Sequence, residues 1–308
     1  MTDKTRRLAA WVEEYGRTRP GAIGVFPDEP MCRHTTFRIG GPAELFLLPG
    51  SAEAFADLLA AAKEAGTRIF LLGRGSNVLF DDAGFPGAVI CMSGLDGIRV
   101  EGDLLKAEAG AMLSQVCKAA RDASLAGLEF AYGIPGSVGG AVAMDAGAYG
   151  GEIRDVLASS LAYDLATGEF RMLSPGEHRF GYRDSAYRHD GIVCVSAAFR
   201  LKPGESDEIA ALMTDIMNRR TSKQPLEFPS AGSVFKRPEG HFVGQMVEES
   251  GLKGTRIGGA EVSEKHAGFI VNRGGATSAD VLNLVEHIKE VVLRNYGVEL
   301  ECEIIHVV

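Results

Sequence analysis

Apolar positions along the 308-residue chain change their period several times, and each change marks an element. Leu8, Trp11, Val12 and Tyr15 recur at helical spacing, so residues 3–16 predict an N-terminal amphipathic helix. A second helix is framed by its ends, with Ser51 as N-cap, Gly66 as stop and Phe55, Leu58, Leu59 and Ala62 turned inward. Residues 68–72 read as a short buried strand and complete a β, α, β unit ending near Met92. From Gly94 the pattern becomes hairpin-like: residues 98–101 turn at Gly102-Asp103 into 104–109, followed by a helix over about 111–124 and strands near 157–165 and 194–201. Lys202-Pro203-Gly204-Glu205 is the clearest linker. Beyond it a helix from Ser206 carries Ile209, Leu212, Met213, Ile216 and Met217 on one stripe, and residues 278–297 contain another. The alternation of Val298, Leu300, Cys302 and Ile304 with Glu299, Glu301 and Glu303 predicts a closing strand. The sum is a mixed α+β chain without repeats.

Three glycine-rich segments interrupt these elements: Gly40-Gly41, the run Gly73-Arg74-Gly75-Ser76-Asn77 after the strand at 68–72, and a long stretch from Gly133 to Gly151. Glycine removes side chains and reaches φ > 0, so successive N–H groups can converge on an anion such as a phosphate. Tight turns between buried elements would use the same residues. No G-x-x-x-x-G-K-[ST] is present, and Gly73-x-Gly75 lacks the third glycine of the dinucleotide fingerprint, which disfavours a P-loop NTPase and an ordinary Rossmann reader.

Six blocks in order, TTFRIGGPA, LGRGSNVLF, GIPGSVGGAVAMDAGAYGG, FGYRDSAYR, PSAGSVFKRP and GVELECEI, resemble the UDP-N-acetylenolpyruvoylglucosamine reductases in their shorter form, from about Pro30 to the C-terminus. The resemblance implies a two-subdomain FAD-binding domain of the vanillyl-alcohol-oxidase-like (PCMH) type, over residues 30–204 with subdomains 30–92 and 93–204. A smaller α+β substrate-binding domain over 205–308 would follow, with residues 1–29 as a lead-in. It implies noncovalent FAD, NADPH as hydride donor, and UDP-N-acetylglucosamine-enolpyruvate as the substrate reduced to a peptidoglycan precursor. The rivals are a sugar or hydroxy-acid oxidase of the same flavin fold and a noncatalytic nucleotide-binding protein.

The formal net charge of -9 argues against a nucleic-acid partner. A polyanionic sugar nucleotide therefore needs local cations, and Lys223, Lys236, Arg237, Lys253, Arg256 and Lys265 gather in the last third. Five cysteines without a C-x-x-C pair read as reduced thiols, and no histidine spacing suggests a metal site. With no apolar run of membrane-spanning length and no apolar signal core, cytoplasm is the expected compartment, with no obligate protein partner evident.

Residue by residue, the resemblance assigns Arg183 to the enolpyruvyl carboxylate, Ser233 to proton donation at carbon, and Glu303 to stabilisation of the intermediate alongside the arginine. Arg188 and Ser230 are neighbours that could fill the first two roles, and periodicity alone does not choose among Glu299, Glu301 and Glu303. The flavin pyrophosphate falls to amides around Gly73, Arg74, Gly75, Ser76 and Asn77 and around Gly136, Ser137, Gly139 and Gly140. Lys223 and Arg237 are expected at the sugar nucleotide, with Tyr149 covering it. Asp145 stands where the family usually has asparagine, and a carboxylate there should not touch phosphate. His34 is not expected to carry a covalent flavin.

Overall fold

A computed structural model describes the whole chain, Met1 to Val308. By compactness the chain forms two units, one of Met1–Phe26, Leu45–Arg74 and Gly87–Arg220, the other of Pro27–Glu44, Gly75–Pro86 and Thr221–Val308. This division departs from the sequence boundaries at 29 and 204. Ile209 and Met213, beyond the linker, are buried in a core of the first unit, whereas Phe37, Ile39 and Leu79 are buried with C-terminal residues in the second.

In the first unit, α1 (Asp3–Thr18) and α2 (Ala52–Ala65) share an apolar cluster in which Leu8, Val12, Phe55 and Leu58 are buried. Full burial of each such side chain is worth ~1.5–3 kcal/mol. The ends of α2 are those expected: Ser51 Oγ accepts from the Ala54 N–H at 3.1 Å, and Gly66 closes the helix at φ 64°. The associated sheet has the order Ile23–Pro30, Pro42–Pro49, Phe85–Cys91, Ile69–Leu72, the last two parallel with Ile69 opposite Ala88. A second, antiparallel sheet has the order Phe170–Leu173, Leu157–Asp164, Ile192–Arg200, Leu104–Glu108, Ile98–Glu101, with the expected turn at Gly102. The core associated with it includes residues of α3 (Leu113–Asp122), of the short α4 (Val138–Ala143), and of α5 (Ser206–Lys223). On α5 the buried stripe is Ile209, Met213, Ile216 and Arg220, while Leu212 is exposed.

The second unit is built on α6 (Val243–Glu249), a three-stranded antiparallel sheet of Arg256–Ile257, Ala260–Val262 and Ile270–Asn272, and α7 (Ser278–Tyr296). A capping box between Thr277 and Asp280 starts α7, and left-handed Gly297 stops it. The closing strand differs from expectation. Residues 298–304 make only an isolated bridge, Cys302 with Phe235, and the strand is Ile305–Val307, parallel to Val78–Phe80. Its partner lies more than two hundred positions away, so local alternation carried no information about where pairing begins.

Candidate active site

Ser137 organises the glycine loop of the first unit. The N–H groups of Gly136, Val138 and Gly139 are bonded to the carbonyls of Ile134, Ala111 and Ala109, which leaves those of Ser137 and Gly140 uncommitted to backbone. Ser137 is 2% exposed, and its side chain makes no capping hydrogen bond to α4. A Cβ on Gly73 would stand 2.6 Å from Ser137 Oγ, so that position holds the small gap in front of the hydroxyl open. In the second unit Gly75 is required for a different reason. Its φ is 63°, and a Cβ would meet the His34 carbonyl oxygen at 2.1 Å. Arg74 is exposed and Ser76 half-buried. Asn77 donates its side-chain amide to the Glu303 carbonyl at 3.0 Å and accepts the Ile305 N–H through its own carbonyl.

A cleft of about 420 Å³ opens in the first unit between the hairpin Gly147–Glu152 and the turn holding Tyr182 and Arg183. Tyr149 and Tyr182 are exposed on its walls, and the Arg183 guanidinium lies 5.1 Å from the Tyr182 ring centroid. The backbone here is strained. Of the seven non-glycine residues with positive φ, Tyr149 and Arg183 line this cleft, and such conformations cluster where function over-determines them. Arg188, the alternative to Arg183, is engaged elsewhere: it donates to the Arg183 carbonyl at 3.1 Å and pairs with Asp184. Behind the turn, Ser160 Oγ lies 2.6 Å from both His178 Nε2 and the Tyr187 hydroxyl. Burial lowers the His178 pKa and pushes the Cys194 thiol up to about 12, so both are neutral scaffold groups.

Asp145 is 1% exposed, and the carboxylate is turned away from any phosphate role. Oδ1 accepts the Arg154 N–H at 2.9 Å, and Oδ2 pairs with the Arg154 guanidinium. The charge that sequence alone set against anions is thereby neutralised within the protein.

Within the second unit, the segments that carry Ser233 and Glu303 are paired. The Glu303 N–H donates to the Val234 carbonyl at 2.8 Å, so the two residues sit on paired segments, with Ser233 bridged on its other side to Phe269. Ser233 is exposed and Glu303 half-buried. Glu301 is exposed and ion-paired with Lys236, and Glu299 is exposed. Ser230 is held through its backbone, its N–H and carbonyl both bonded to Thr36. Among the cations, Lys253, Arg256 and Lys265 pair with Glu248, Glu261 and Glu227. Lys223 is exposed at the end of α5, and Arg237 stacks over the Phe242 ring at 3.9 Å.

Arg220 is the residue that sequence reasoning missed. It is 9% exposed, has no ion-pair or hydrogen-bond partner in the protein, and lays its stem on Gly133, where a Cβ would stand 3.0 Å from Cδ. Burial lowers its pKa, opposed by Tyr149. The available signal was its place as the next position of the stripe Ile209, Met213, Ile216. A largely buried cation that no carboxylate faces, together with the Ser137 and Gly140 N–H groups that no backbone acceptor takes, suits an anionic cofactor, so this chain's residues fit FAD.

Comparison with known proteins gives the class first: residues 43–174 match the family described as an FAD binding domain, which together with the reductases below makes the chain a flavoprotein oxidoreductase. Residues 224–307 match the UDP-N-acetylenolpyruvoylglucosamine reductase, C-terminal domain. Reductases of that name are 46% identical over 92% of this chain and 92% of the relative in Clostridium botulinum, and 47% identical over 90% and 91% in Clostridium perfringens. The crystal structure of the Thermus caldophilus UDP-N-acetylenolpyruvylglucosamine reductase superposes with a TM-score of 0.79 at 33% identity, covering 93% of this chain and 99% of that one. The chain belongs to the UDP-N-acetylenolpyruvoylglucosamine reductase family.

Proposed function

We propose that this protein reduces UDP-N-acetylglucosamine-enolpyruvate to UDP-N-acetylmuramate in the cytoplasm, with NADPH as the source of hydride. The reading rests above all on the 46% identity to reductases of this family over 92% of the chain, and the pairing of the segments that bear Ser233 and Glu303 supports it. Bound FAD supplies the hydride that reaches the terminal carbon of the enol ether. Its anionic groups would be held by the uncommitted N–H groups of Ser137 and Gly140, the Ser137 hydroxyl and the Arg220 guanidinium.

Hydride arrival pushes electron density onto the neighbouring carbon and into the carboxylate. Arg183, with two parallel donors, grips that carboxylate and strengthens its hold as charge grows there. Ser233 then gives its proton to the carbanionic carbon. A hydroxyl is a weak acid, but the acceptor is a strong base, and a positioned acid contributes ~10²–10⁴-fold. Glu303 stabilises the intermediate. Lys223 and Arg237 supply positive charge for the sugar nucleotide, and Tyr149 closes over it.

The test is product analysis under nitrogen with NADPH and the enolpyruvyl sugar nucleotide. The reading requires a product heavier by two hydrogen atoms, formed with ping-pong kinetics. Oxygen consumption with simple sugars and no such product would instead favour an oxidase.

A further inference from the structure

Arg154 stands between the two segments that wall the Arg183 cleft. Its guanidinium is anchored on the buried Asp145 carboxylate, and from there it reaches Glu152 Oε2 at 3.0 Å and the Phe180 carbonyl at 3.5 Å, 5.9 Å from the Phe180 ring centroid. Glu152 is paired with Gly147 in the hairpin that bears Tyr149, and Phe180 leads directly into Tyr182 and Arg183. Asp145 itself follows α4, whose end is tied to the same turn by Ser185 Oγ on the Ala143 carbonyl at 2.9 Å and by Arg188 on Met144 Sδ. Both anchored segments carry a residue at positive φ, Tyr149 and Arg183, which relaxes unless its surroundings hold it.

We infer that Asp145 and Arg154 form a strut that sets the position of Arg183 and Tyr149 for the carboxylate-bearing substrate, so that both are positioning residues for the second half of the reaction. Asp145 contributes the fixed end because it is buried and its two oxygens address the backbone and the side chain of one residue. Beside Arg154 an asparagine is not equivalent, although the family usually has one here: its oxygen could still accept the Arg154 N–H, but its amide would turn an N–H toward the guanidinium and leave Glu152 as that charge's one carboxylate. The strut acts through Arg183, which meets a carboxylate that NADPH lacks. Its loss therefore falls on the sugar nucleotide and spares flavin reduction.

This inference rests on the reductase reading, and one experiment separates the two. The holoenzyme is reduced anaerobically with NADPH and reoxidised with the enolpyruvyl sugar nucleotide, for the unsubstituted protein, Asp145→Asn, Arg183→Lys and the double variant. If the unsubstituted protein is not reoxidised, the reductase reading fails. If it is, the strut requires Asp145→Asn to raise the sugar-nucleotide concentration for half-maximal reoxidation about tenfold, in the range of coupling seen within one network, with the rate of reduction by NADPH unchanged. It also requires that the effect largely disappear in the Arg183→Lys background. An unchanged concentration dependence, equal losses in both half-reactions, or full additivity with Arg183→Lys would overturn it. Should Asp145→Asn fail to fold, Arg154→Lys, which keeps the charge and loses the fork, carries the same comparison at a more exposed position.

Discussion

Arg220→Met should strengthen the protein stripped of cofactor and weaken its hold on FAD. The methionine keeps an aliphatic stem over Gly133 while removing a charge that is 9% exposed and faces no carboxylate of the protein. Removing ionic groups from a protein interior in favour of apolar side chains of similar volume is often neutral or stabilising, by ~1–4 kcal/mol, and the stripped protein should move in that direction. Binding FAD should show the opposite sign. A hydrogen bond to a charged group is worth ~1.5–3 kcal/mol, which corresponds to a dissociation constant raised roughly 10- to 100-fold. Urea unfolding of the stripped protein measures the first quantity, and titration of FAD followed by flavin fluorescence measures the second. Loss of stability in the stripped variant together with an unchanged dissociation constant would refute the reasoning, because Arg220 would then be a packing residue.

Three further substitutions probe other parts of the site. Ser233→Ala should leave reduction by NADPH intact and slow reoxidation by the enolpyruvyl sugar ~10²-fold or more, read by stopped-flow absorbance; equal slowing of both steps would remove the serine from proton transfer. Gly75→Ala should destabilise the protein by more than ~1 kcal/mol in thermal unfolding, since φ 63° and the His34 carbonyl both exclude a Cβ, and a variant of unchanged stability would contradict that. Burial lowers the pKa of His178 and of His266 in the folded state, so the unfolded chain takes up protons first and stability should fall as the pH drops below about 6.5. His178→Gln should reduce that slope between pH 6.5 and 5, a window above the titration of the depressed carboxylates such as Asp164 and Asp280, and an unaltered slope would mean that His178 titrates normally.

Elements with chemical punctuation were legible from sequence. Ser51 and Gly66 bracket α2, Gly297 ends α7, and Gly102-Asp103 turns a hairpin, each through a local conformational demand. The catalytic candidates were legible only through six ordered blocks, because a lone serine or arginine carries no such message. What escaped is nonlocal. The pairing of Ile305–Val307 with Val78–Phe80 decides where the terminal strand begins, and the Arg154 anchor decides what Asp145 does, although the two residues are nine positions apart and joined by no regular period. The side-chain amide of Asn77 bonds the Glu303 carbonyl, a partner 226 positions away that the glycine-rich neighbourhood of Asn77 gives no hint of. Arg220 shows the converse: its position was implied by the stripe on α5, but a charged residue breaks the apolar pattern that marks burial.

The central claim is most directly tested by an anaerobic absorbance titration of the purified holoenzyme, first with NADPH and then with UDP-N-acetylglucosamine-enolpyruvate. The reductase reading requires the flavin bands to bleach with NADPH and return in proportion to added sugar nucleotide. Bleaching without recovery would contradict the proposed substrate, and a protein that shows no flavin signal even after added FAD would contradict the cofactor as well.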